Sequence, residues 1–229
     1  MTTGDLSIIV PAHNAAATLE AAIGSALEAD GLLEVVVVDD GSTDDTLARA
    51  NEMAAAMAPA GQPLLRVLSQ PQAGPSAARN FGAASAKGEL LAFLDADDRW
   101  VAGVPDSRRE GLADGRTVTL GLIQYYVGDP AEPSGEPFEA FSACTALIPR
   151  DVFESVGPFE PSMDLGEDVD WFLRAREAGV AIVFGSEVVL AYRSRPGSLS
   201  SRRADRGHGL LHALHRSLDR RRSAEELRP

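Results

Sequence analysis

The chain has 229 residues, and 45% of them are hydrophobic, which suits one α/β domain with a real core. Its formal charge of -13 argues against a general nucleic-acid-binding protein, because such proteins hold phosphate backbones with clustered Lys and Arg. One cysteine, Cys144, excludes an intramolecular disulfide and a multi-thiolate metal site, which fits a reducing cytoplasm. Neither a signal-peptide pattern nor an apolar stretch of about 20 residues is present, so we expect a cytoplasmic protein.

The first half of the chain alternates short apolar segments with helical ones. The predicted strands are Leu6–Val10, Glu34–Val38, Leu64–Ser69 and Leu90–Leu94, and the predicted helices are Ala15–Ala29, Thr43–Met57 and Pro75–Ser85. Ser42 or Thr43 is the expected cap of the second helix. Repeated βα units predict a mainly parallel, doubly wound sheet.

The second half is less regular, and residues 99–137 carry no clear pattern. Gly128–Pro137 (GDPAEPSGEP) is predicted to be a loop, because Pro and Gly interrupt regular structure. We expect a strand around Ser142–Ile148, a helix from Arg150, a helix within Asp164–Gly179 and a strand at Val180–Val183. This divides the chain into one catalytic domain, residues 1–190, with halves at about 1–98 and 99–190, and a tail at 191–229.

The tail differs from the domain in charge. Residues 191–229 hold ten Arg and four acidic residues, a net charge of +6, whereas residues 1–190 hold 11 basic and 30 acidic residues, a net charge of -19. Leucines recur at helical spacing between Arg202 and Arg222. We expect a helix that packs on the domain with its Arg face in solvent, and the alternative is peripheral contact with the anionic inner face of a membrane.

Polar residues follow the apolar strands at Asn14, Asp39, Asp40, Asp95 and Asp97. In an open parallel sheet, that edge forms the ligand crevice. The run Asp95-Ala96-Asp97-Asp98 places three carboxylates together, which suits Mg²⁺ or Mn²⁺ completed by the phosphate oxygens of a substrate. The alternative is a solvated loop whose Asp residues cap the next turn.

Two further clusters carry candidate chemistry. Asp39 and Asp40 begin a turn into a helix, and a carboxylate at this edge can accept hydrogen bonds from a base or a ribose. Arg79 could stack on a base or pair with phosphate, or be a surface charge. Glu167 and Asp168 stand at the start of a predicted helix with an apolar stripe. They either interact favourably with the helix dipole, or one of them is a base that removes a proton from a hydroxyl group.

Several enzyme classes lack their motifs here. The sequence has no Gly-x-Gly-x-x-Gly after the first strand, no Walker-type Gly-Lys-Ser/Thr and no Gly-x-Ser-x-Gly. These absences argue against dinucleotide oxidoreductases, P-loop NTPases and serine hydrolases of the α/β type.

Taken in order, four blocks resemble the inverting family-2 glycosyltransferases of the GT-A fold, from about Ser7 to Arg202. The blocks are SIIVPAHNAAATLEAAIGSAL, VVVVDDGSTDDT, AGPSAARNFGAASAKGELLAFLDADDRW, and VGPFEPSMDLGEDVDWFLRAREAG with YRSRPGSLS. The resemblance implies a mainly parallel, doubly wound nucleotide-binding sheet merged with a smaller acceptor-binding half. It also implies transfer of a sugar from a nucleotide sugar to an acceptor hydroxyl.

The resemblance further implies roles for particular residues. The nucleotide pocket would be lined by Pro11, Ala12, His13 and Asn14. Asp40 would face the base, and Arg79 would help hold it. Asp95, beside Ala96, would contact ribose or metal, and Asp97 would bind Mn²⁺ or Mg²⁺. Asp168 would be the general base, with Glu167 on the acceptor side. Where many family members carry His, this chain has Arg195, which we hypothesise clamps the diphosphate.

The donor implied by the resemblance is a UDP-sugar, with dTDP and GDP as alternatives. The acceptor could be a glycan, a lipid carrier or a small molecule. Two other functions stay open on the residues alone, a sugar nucleotidyltransferase and a catalytically inactive module that binds nucleotide sugars.

Overall fold

The computed structural model describes residues 5–58, 64–101, 107–112, 115–127, 132–163, 165–193 and 203–226. Four strands form the first half of the sheet in the order β3-β2-β1-β4, all parallel: β1 (Leu6–Ala12), β2 (Leu32–Asp40), β3 (Leu64–Gln70) and β4 (Leu90–Phe93). The helices α1 (Leu19–Ala26), α2 (Thr46–Met57) and α3 (Pro75–Ser85) connect them. These elements confirm the predicted βα units.

The sheet is covered on both faces, which explains why β2 is an unbroken apolar run. Val35 and Val37 pack in one core with α1 and α2, whereas Val36 and Val38 pack in the opposite core with α3. All four valines are fully buried. Strands buried on both faces are apolar at every position, because successive side chains point to opposite faces.

Besides short 3₁₀ helices, the second half adds, within the described residues, five strands and three α-helices. They are β5 (Arg99–Trp100), β6 (Thr117–Val127), β7 (Glu132–Phe138), β8 (Ala146–Pro149), β9 (Ala181–Arg193), α4 (Arg150–Val156), α5 (Glu167–Glu177) and α6 (Arg203–Glu226). β8 lies antiparallel between β4 and β6, and it joins the two halves into one sheet. β9 runs parallel to β6. The predicted α/β architecture, a doubly wound sheet merged with a smaller half, is confirmed.

Several local predictions were wrong. Residues 132–137 of the predicted loop Gly128–Pro137 belong to β7, and residues 128–131 lie outside the described residues. β7 pairs with β6, an 11-residue strand that the pattern did not indicate. Gln124 supports this pairing, because its amide nitrogen lies 3.1 Å from the carbonyl oxygens of Ser134 and Gly135. Ser142 starts a short 3₁₀ turn at Ala143–Thr145, and the strand begins only at Ala146.

The predicted cap of α2 was also wrong. The helix begins after Asp45, and its first turn is held by Asp44, which accepts from the backbone N–H of Thr46 at 3.0 Å. Ser42 and Thr43 instead hydrogen-bond to Asn14 in the loop that follows β1. These two residues therefore connect two loops and do not cap the helix.

The tail helix α6 packs on the domain as expected, but its orientation is opposite to the prediction. Arg216 Nη2 lies 2.8 Å from Glu160 Oε2, and Arg220 Nη1 lies 2.9 Å from Asp170 Oδ1, so these arginines face the domain. The leucines face solvent instead. The physical reason is the acidic surface of α5, where buried Asp170 and exposed Glu177 attract the arginines.

Candidate active site

A cleft of about 570 Å³ opens where β1, β2 and β4 end, and α5 and the end of β9 form its other wall. Its lining contains, within the described part of the chain, every residue to which the family resemblance assigns a role: Pro11, Ala12, His13, Asn14, Asp40, Arg79, Asp95, Ala96, Asp97, Glu167 and Asp168. Asp39, also expected at this edge, is not part of the lining. Arg195 lies outside the described residues. The strand ends and the start of α5 thus share one cavity.

Asn14 holds the two loops on one side of the cleft together. Its backbone has a positive φ of 50°, a conformation in which Asn is one of the few tolerated residues. Its side-chain oxygen accepts from the backbone N–H groups of Thr43 at 2.8 Å and Asp44 at 3.3 Å, and its own N–H donates to Ser42 Oγ at 3.0 Å. The loops after β1 and β2 are therefore fixed as a unit.

Asp40 is buried and shapes the next wall of the cleft. Its Oδ1 accepts from Gln70 Nε2 at 2.7 Å and from Ala73 N at 2.8 Å, and its Oδ2 accepts from Gly74 N at 2.8 Å. Gly74 has a φ of 91° and precedes α3, a conformation that favours glycine. Both carboxylate oxygens thus hold the loop 70–74, and the predicted contact with a base stays a prediction.

His13 continues this wall. Its Nδ1 lies 2.8 Å from the carbonyl oxygen of Asp40. A carbonyl oxygen only accepts, so Nδ1 carries the proton and donates, which leaves Nε2 as the acceptor nitrogen. The side-chain nitrogens of Asn14 and Gln72 lie 3.1 and 3.3 Å from that Nε2. The ring orientation is therefore set by three neighbours at the mouth of the cleft.

Arg79 joins the two sides of the cleft. Its Nη2 lies 2.7 Å from Asp95 Oδ1 and its Nη1 lies 2.8 Å from Glu167 Oε1, with Asp168 Oδ1 at 3.8 Å. The side chain is 5% exposed, and its guanidinium stands 5.9 Å from the ring of Phe159. Arg79 is therefore not a surface charge, and its guanidinium is bound to carboxylates rather than open to a phosphate group. One buried cation faces three carboxylates, so the floor of the cleft keeps an excess of negative charge.

Asp168 has the most strongly perturbed carboxyl group of the cleft. Its side chain is 19% exposed. Burial and the neighbouring charge of Glu167 raise its pKa from 3.8 to about 7, although Arg79 and the N–H of Ala143 oppose the rise. Oδ2 accepts from Ala143 N at 2.9 Å, and Oδ1 has no hydrogen-bond donor. Such a group exchanges protons near neutral pH, which is what a general base requires.

Asp95 and Asp97 are partly exposed to the cleft, whereas Asp98 is buried and accepts from the backbone N–H of Arg193 at 3.1 Å. Within the described residues, no three His, Cys, Asp or Glu side chains converge into a metal site. Mg²⁺ is usually held by one or two carboxylates plus substrate phosphates, so Asp95 and Asp97 fit a site of that kind. The negative floor of the cleft also favours a cation.

The sequence did not point to several residues that line the cleft, including Gln72, Ser142, Leu165 and Tyr192. Tyr192 lies near the end of β9, and the parallel pairing of β9 with β6 brings it there. It stands edge-on to Tyr125 with ring centroids 5.4 Å apart. Its block YRSRPGSLS was noted in the sequence, but only the long-range pairing of β6 assigns it to the cleft.

Comparison with known proteins identifies the family. The family model described as glycosyl transferase family 2 matches residues 7–136, which is more than half of the chain. The chain belongs to glycosyl transferase family 2. This confirms the resemblance drawn from the sequence, and it makes the protein a glycosyltransferase, which disfavours the nucleotidyltransferase alternative.

Two curated relatives show how the family-2 match extends. Glycosyltransferase AglE of Haloferax volcanii is 29% identical over 90% of this chain and 73% of its own length. Succinoglycan biosynthesis protein ExoU of Rhizobium meliloti is 42% identical over 43% of this chain, but the matched part is only 28% of ExoU.

Two solved structures share the GT-A fold. The mannosyltransferase PcManGT from Pyrobaculum calidifontis, in complex with GDP-Man and Mn²⁺, has a TM-score of 0.76 and 21% identity over 94% of this chain and 64% of its own. S. aureus TarS 1-349, in complex with UDP-GlcNAc, has a TM-score of 0.68 and 22% identity over 86% of this chain and 61% of its own. This chain thus spans less than two thirds of either structure.

None of the described helices has the length and apolarity of a membrane span.

Proposed function

We propose that this family-2 enzyme transfers a sugar from a nucleoside diphosphate sugar, preferably a UDP-sugar, to an acceptor hydroxyl with inversion of the anomeric carbon. The observation that carries the proposal is the bridge made by Arg79, which joins Asp95 at the end of β4 to Glu167 at the start of α5. A donor-side strand end and a candidate base thereby share one cleft. The reaction is a single displacement in which the acceptor oxygen bonds to the anomeric carbon as the bond to the diphosphate breaks.

The donor side is built from the ends of β1, β2 and β4. Loop 70–74, held by Asp40, and the joined loops around Asn14 form a preformed wall for the nucleoside. Asp97, with Asp95 beside it, would hold Mn²⁺ or Mg²⁺. That ion supplies charge neutralisation for the diphosphate as it leaves. Without a cation, a diphosphate would be repelled by the carboxylates at the floor of the cleft.

The acceptor side is built from the start of α5. Asp168 accepts the proton of the attacking hydroxyl, and the 3₁₀ turn at Ala143–Thr145 orients it through the N–H of Ala143. Its raised pKa makes the carboxylate a stronger base than an ordinary aspartate. Glu167 stays paired with Arg79 and is a positioning residue for Asp168. No covalent intermediate on the enzyme is required.

The relatives support the donor class. TarS binds UDP and UDP-GlcNAc, and PcManGT binds GDP-Man with Mn²⁺, so neighbours of the same fold use both UDP and GDP sugars. We retain UDP as first choice and GDP or dTDP as alternatives. The acceptor, a glycan, a lipid carrier or a small molecule, is set by residues of the second half. Buried Cys144, without a partner thiol, is consistent with a reducing cytoplasm.

The donor site is tested by calorimetric binding of UDP, GDP and dTDP with and without Mn²⁺. Wild type is compared with Asp97→Ala and with Asp45→Ala, a matched control that removes an exposed carboxylate from a neighbouring loop. Metal-dependent binding of one nucleotide, lost in Asp97→Ala and kept in Asp45→Ala, is expected. Failure of every nucleotide to bind under all conditions would refute the donor site and favour the inactive scaffold.

The mechanism is tested on an acceptor found by screening with the nucleotide sugar that binds best. NMR of the product should show the anomeric configuration opposite to that of the donor. Asp168→Asn should lower kcat by at least 100-fold with an unchanged nucleotide Kd, since the amide cannot accept the proton. A product that retains configuration, or an Asp168→Asn enzyme with full kcat, would exclude the proposed displacement. The diphosphate clamp by Arg195 stays a hypothesis, tested by donor affinity in Arg195→Ala.

A further inference from the structure

The outer face of α6 carries a row of uncovered leucines. Leu210, Leu211, Leu214 and Leu218 are between 41% and 55% exposed, and they recur at positions that share one side of a helix. Exposed leucines scattered singly are ordinary, but a contiguous apolar strip on a helix marks an interaction site. The strip was not used by the cleft or by the proposed reaction.

The leucine strip is held outward by the opposite face of α6, which is bound to the domain by ion pairs. Asp170 is fully buried and lies 2.9 Å from Arg220 Nη1 and 3.4 Å from Arg216 Nε. Glu177 Oε2 lies 2.7 Å from Arg220 Nε. Ala213 and Ser217 are buried between these groups. A rotation of α6 that hid the leucines would take both α6 arginines away from fully buried Asp170 and leave it Arg174 of its own helix, 3.0 Å away, so the buried charge would lose part of its compensation.

The charge around the leucine strip favours an anionic partner. Residues 210–218 (LLHALHRSL) contain no Asp or Glu, and Arg221 and Arg222 are exposed beyond the last leucine. Arg176 and Arg221 line a groove between α5 and α6 together with Glu177, whose Oε1 lies 3.8 Å from Nε of the largely exposed Arg221. Among the described side chains, a second copy of the strip would offer one exposed carboxylate, Asp219, against the two exposed arginines Arg221 and Arg222. A layer of anionic headgroups over acyl chains supplies both phosphate groups and an apolar phase.

We propose that the leucine strip of α6, with Arg221 and Arg222, docks this protein on anionic lipid surfaces. The charge pattern of the chain agrees, since residues 191–229 carry +6 beside a domain of -19. Docking through α6 also places the cleft close to the lipid. Gly209 at the start of the strip contacts Leu165, and Leu165 lines the cleft beside Asp168.

Flotation with vesicles tests this docking in the full chain, without donor or acceptor, so its result is independent of the proposed reaction. Vesicles of phosphatidylcholine alone are compared with vesicles that contain 30% phosphatidylglycerol. Two triple variants are compared. The leucine variant is Leu211→Ser/Leu214→Ser/Leu218→Ser. The control variant, which removes three exposed apolar side chains elsewhere, is Phe81→Ser/Val127→Ser/Val183→Ser. Arg221→Gln/Arg222→Gln tests the charge. Thermal melting and light scattering accompany each variant.

Wild type should float with anionic vesicles and not with neutral ones. The leucine variant should lose at least tenfold in partition coefficient, the control variant should bind as wild type, and each arginine removed should cost about fivefold. The melting temperature should stay unchanged in the leucine variant. The proposal would be overturned if wild type did not bind anionic vesicles, or if it bound neutral vesicles equally well. It would also be overturned if wild type were a dimer that only the leucine variant dissociates, and the partner would then be a second copy of the chain.

Discussion

Replacement of Asp168 by Asn should stabilise the protein as it inactivates it. The folded-state pKa of Asp168, about 7, lies above its ordinary value of 3.8 because the group is buried beside Glu167. The folded state therefore binds this proton more tightly than the unfolded chain does. The stability that the protonated group contributes is complete below about pH 4 and is lost as the pH rises to 7. Asn cannot ionise, so Asp168→Asn escapes this loss.

The size of the effect follows from the shift. Three pKa units at 1.36 kcal/mol each set a ceiling of about 4 kcal/mol. The side chain is 19% exposed, so solvent screens part of its charge and we expect about half of this, ~2 kcal/mol. For a chain of this length, that raises Tm by roughly 4–8 °C. The gain should grow between pH 5 and pH 7 and then stay constant to pH 8.5.

The assay is thermal melting of wild type and Asp168→Asn at pH 5, 6, 7 and 8.5, without divalent ions or nucleotide. Asp170→Asn is the matched control of opposite sign. Burial alone would raise the pKa of Asp170, but hydrogen bonds from Arg220 and Arg174 hold it below its ordinary value. Its loss should destabilise by about 1.5–3 kcal/mol at neutral pH, because half-buried Arg174 and Arg220 lose their hydrogen bonds to a buried carboxylate. A difference between wild type and Asp168→Asn that does not change with pH would refute the reasoning.

Two further predictions concern residues that hold the cleft together. Arg79→Lys should lower the unfolding free energy, measured by urea denaturation, by about 2–3 kcal/mol. The reason is that one ammonium group cannot replace the two guanidinium nitrogens that bind Asp95 and Glu167. Wild-type stability in this variant would argue against a bridge. Asp40→Asn should raise the donor KM at least tenfold with a smaller change in kcat. The reason is that the single oxygen of an amide cannot replace the two carboxylate oxygens that accept from the backbone N–H groups of loop 70–74. Steady-state kinetics that show an unaltered donor KM would contradict this.

The first half of the fold was predictable because its signals are local. Each strand is an apolar run, each helix has apolar residues at helical spacing, and the carboxylates stand at the strand ends. Parallel pairing then brings Asp40, Asp95 and Asp97 to one edge, as expected. The pairing of neighbouring βα units needs no information from distant parts of the chain.

The remainder depends on contacts between distant residues. Arg79 has the appearance of a surface residue on α3, and its burial results from Glu167, 88 residues away. β7 contains Pro and Gly and, within the described residues, pairs with β6 alone, so its sequence lacks the alternation of a typical strand. The orientation of α6 was mispredicted because composition shows that Arg and Leu occupy different faces, but not that Asp170 lies buried beneath.

The contact between Gly166 and Gly209 couples the tail helix α6 to the start of α5, the helix that carries the proposed base. A Cβ on Gly166 would lie 2.5 Å from the carbonyl oxygen of Gly209, and a Cβ on Gly209 would lie 2.7 Å from that of Leu165. No larger residue fits at either position without separating α6 from the start of α5. Exchange of the tail for that of a relative must therefore preserve this pair of glycines, or the new segment will tilt the helix that carries Asp168 even though it touches neither sugar nor nucleotide.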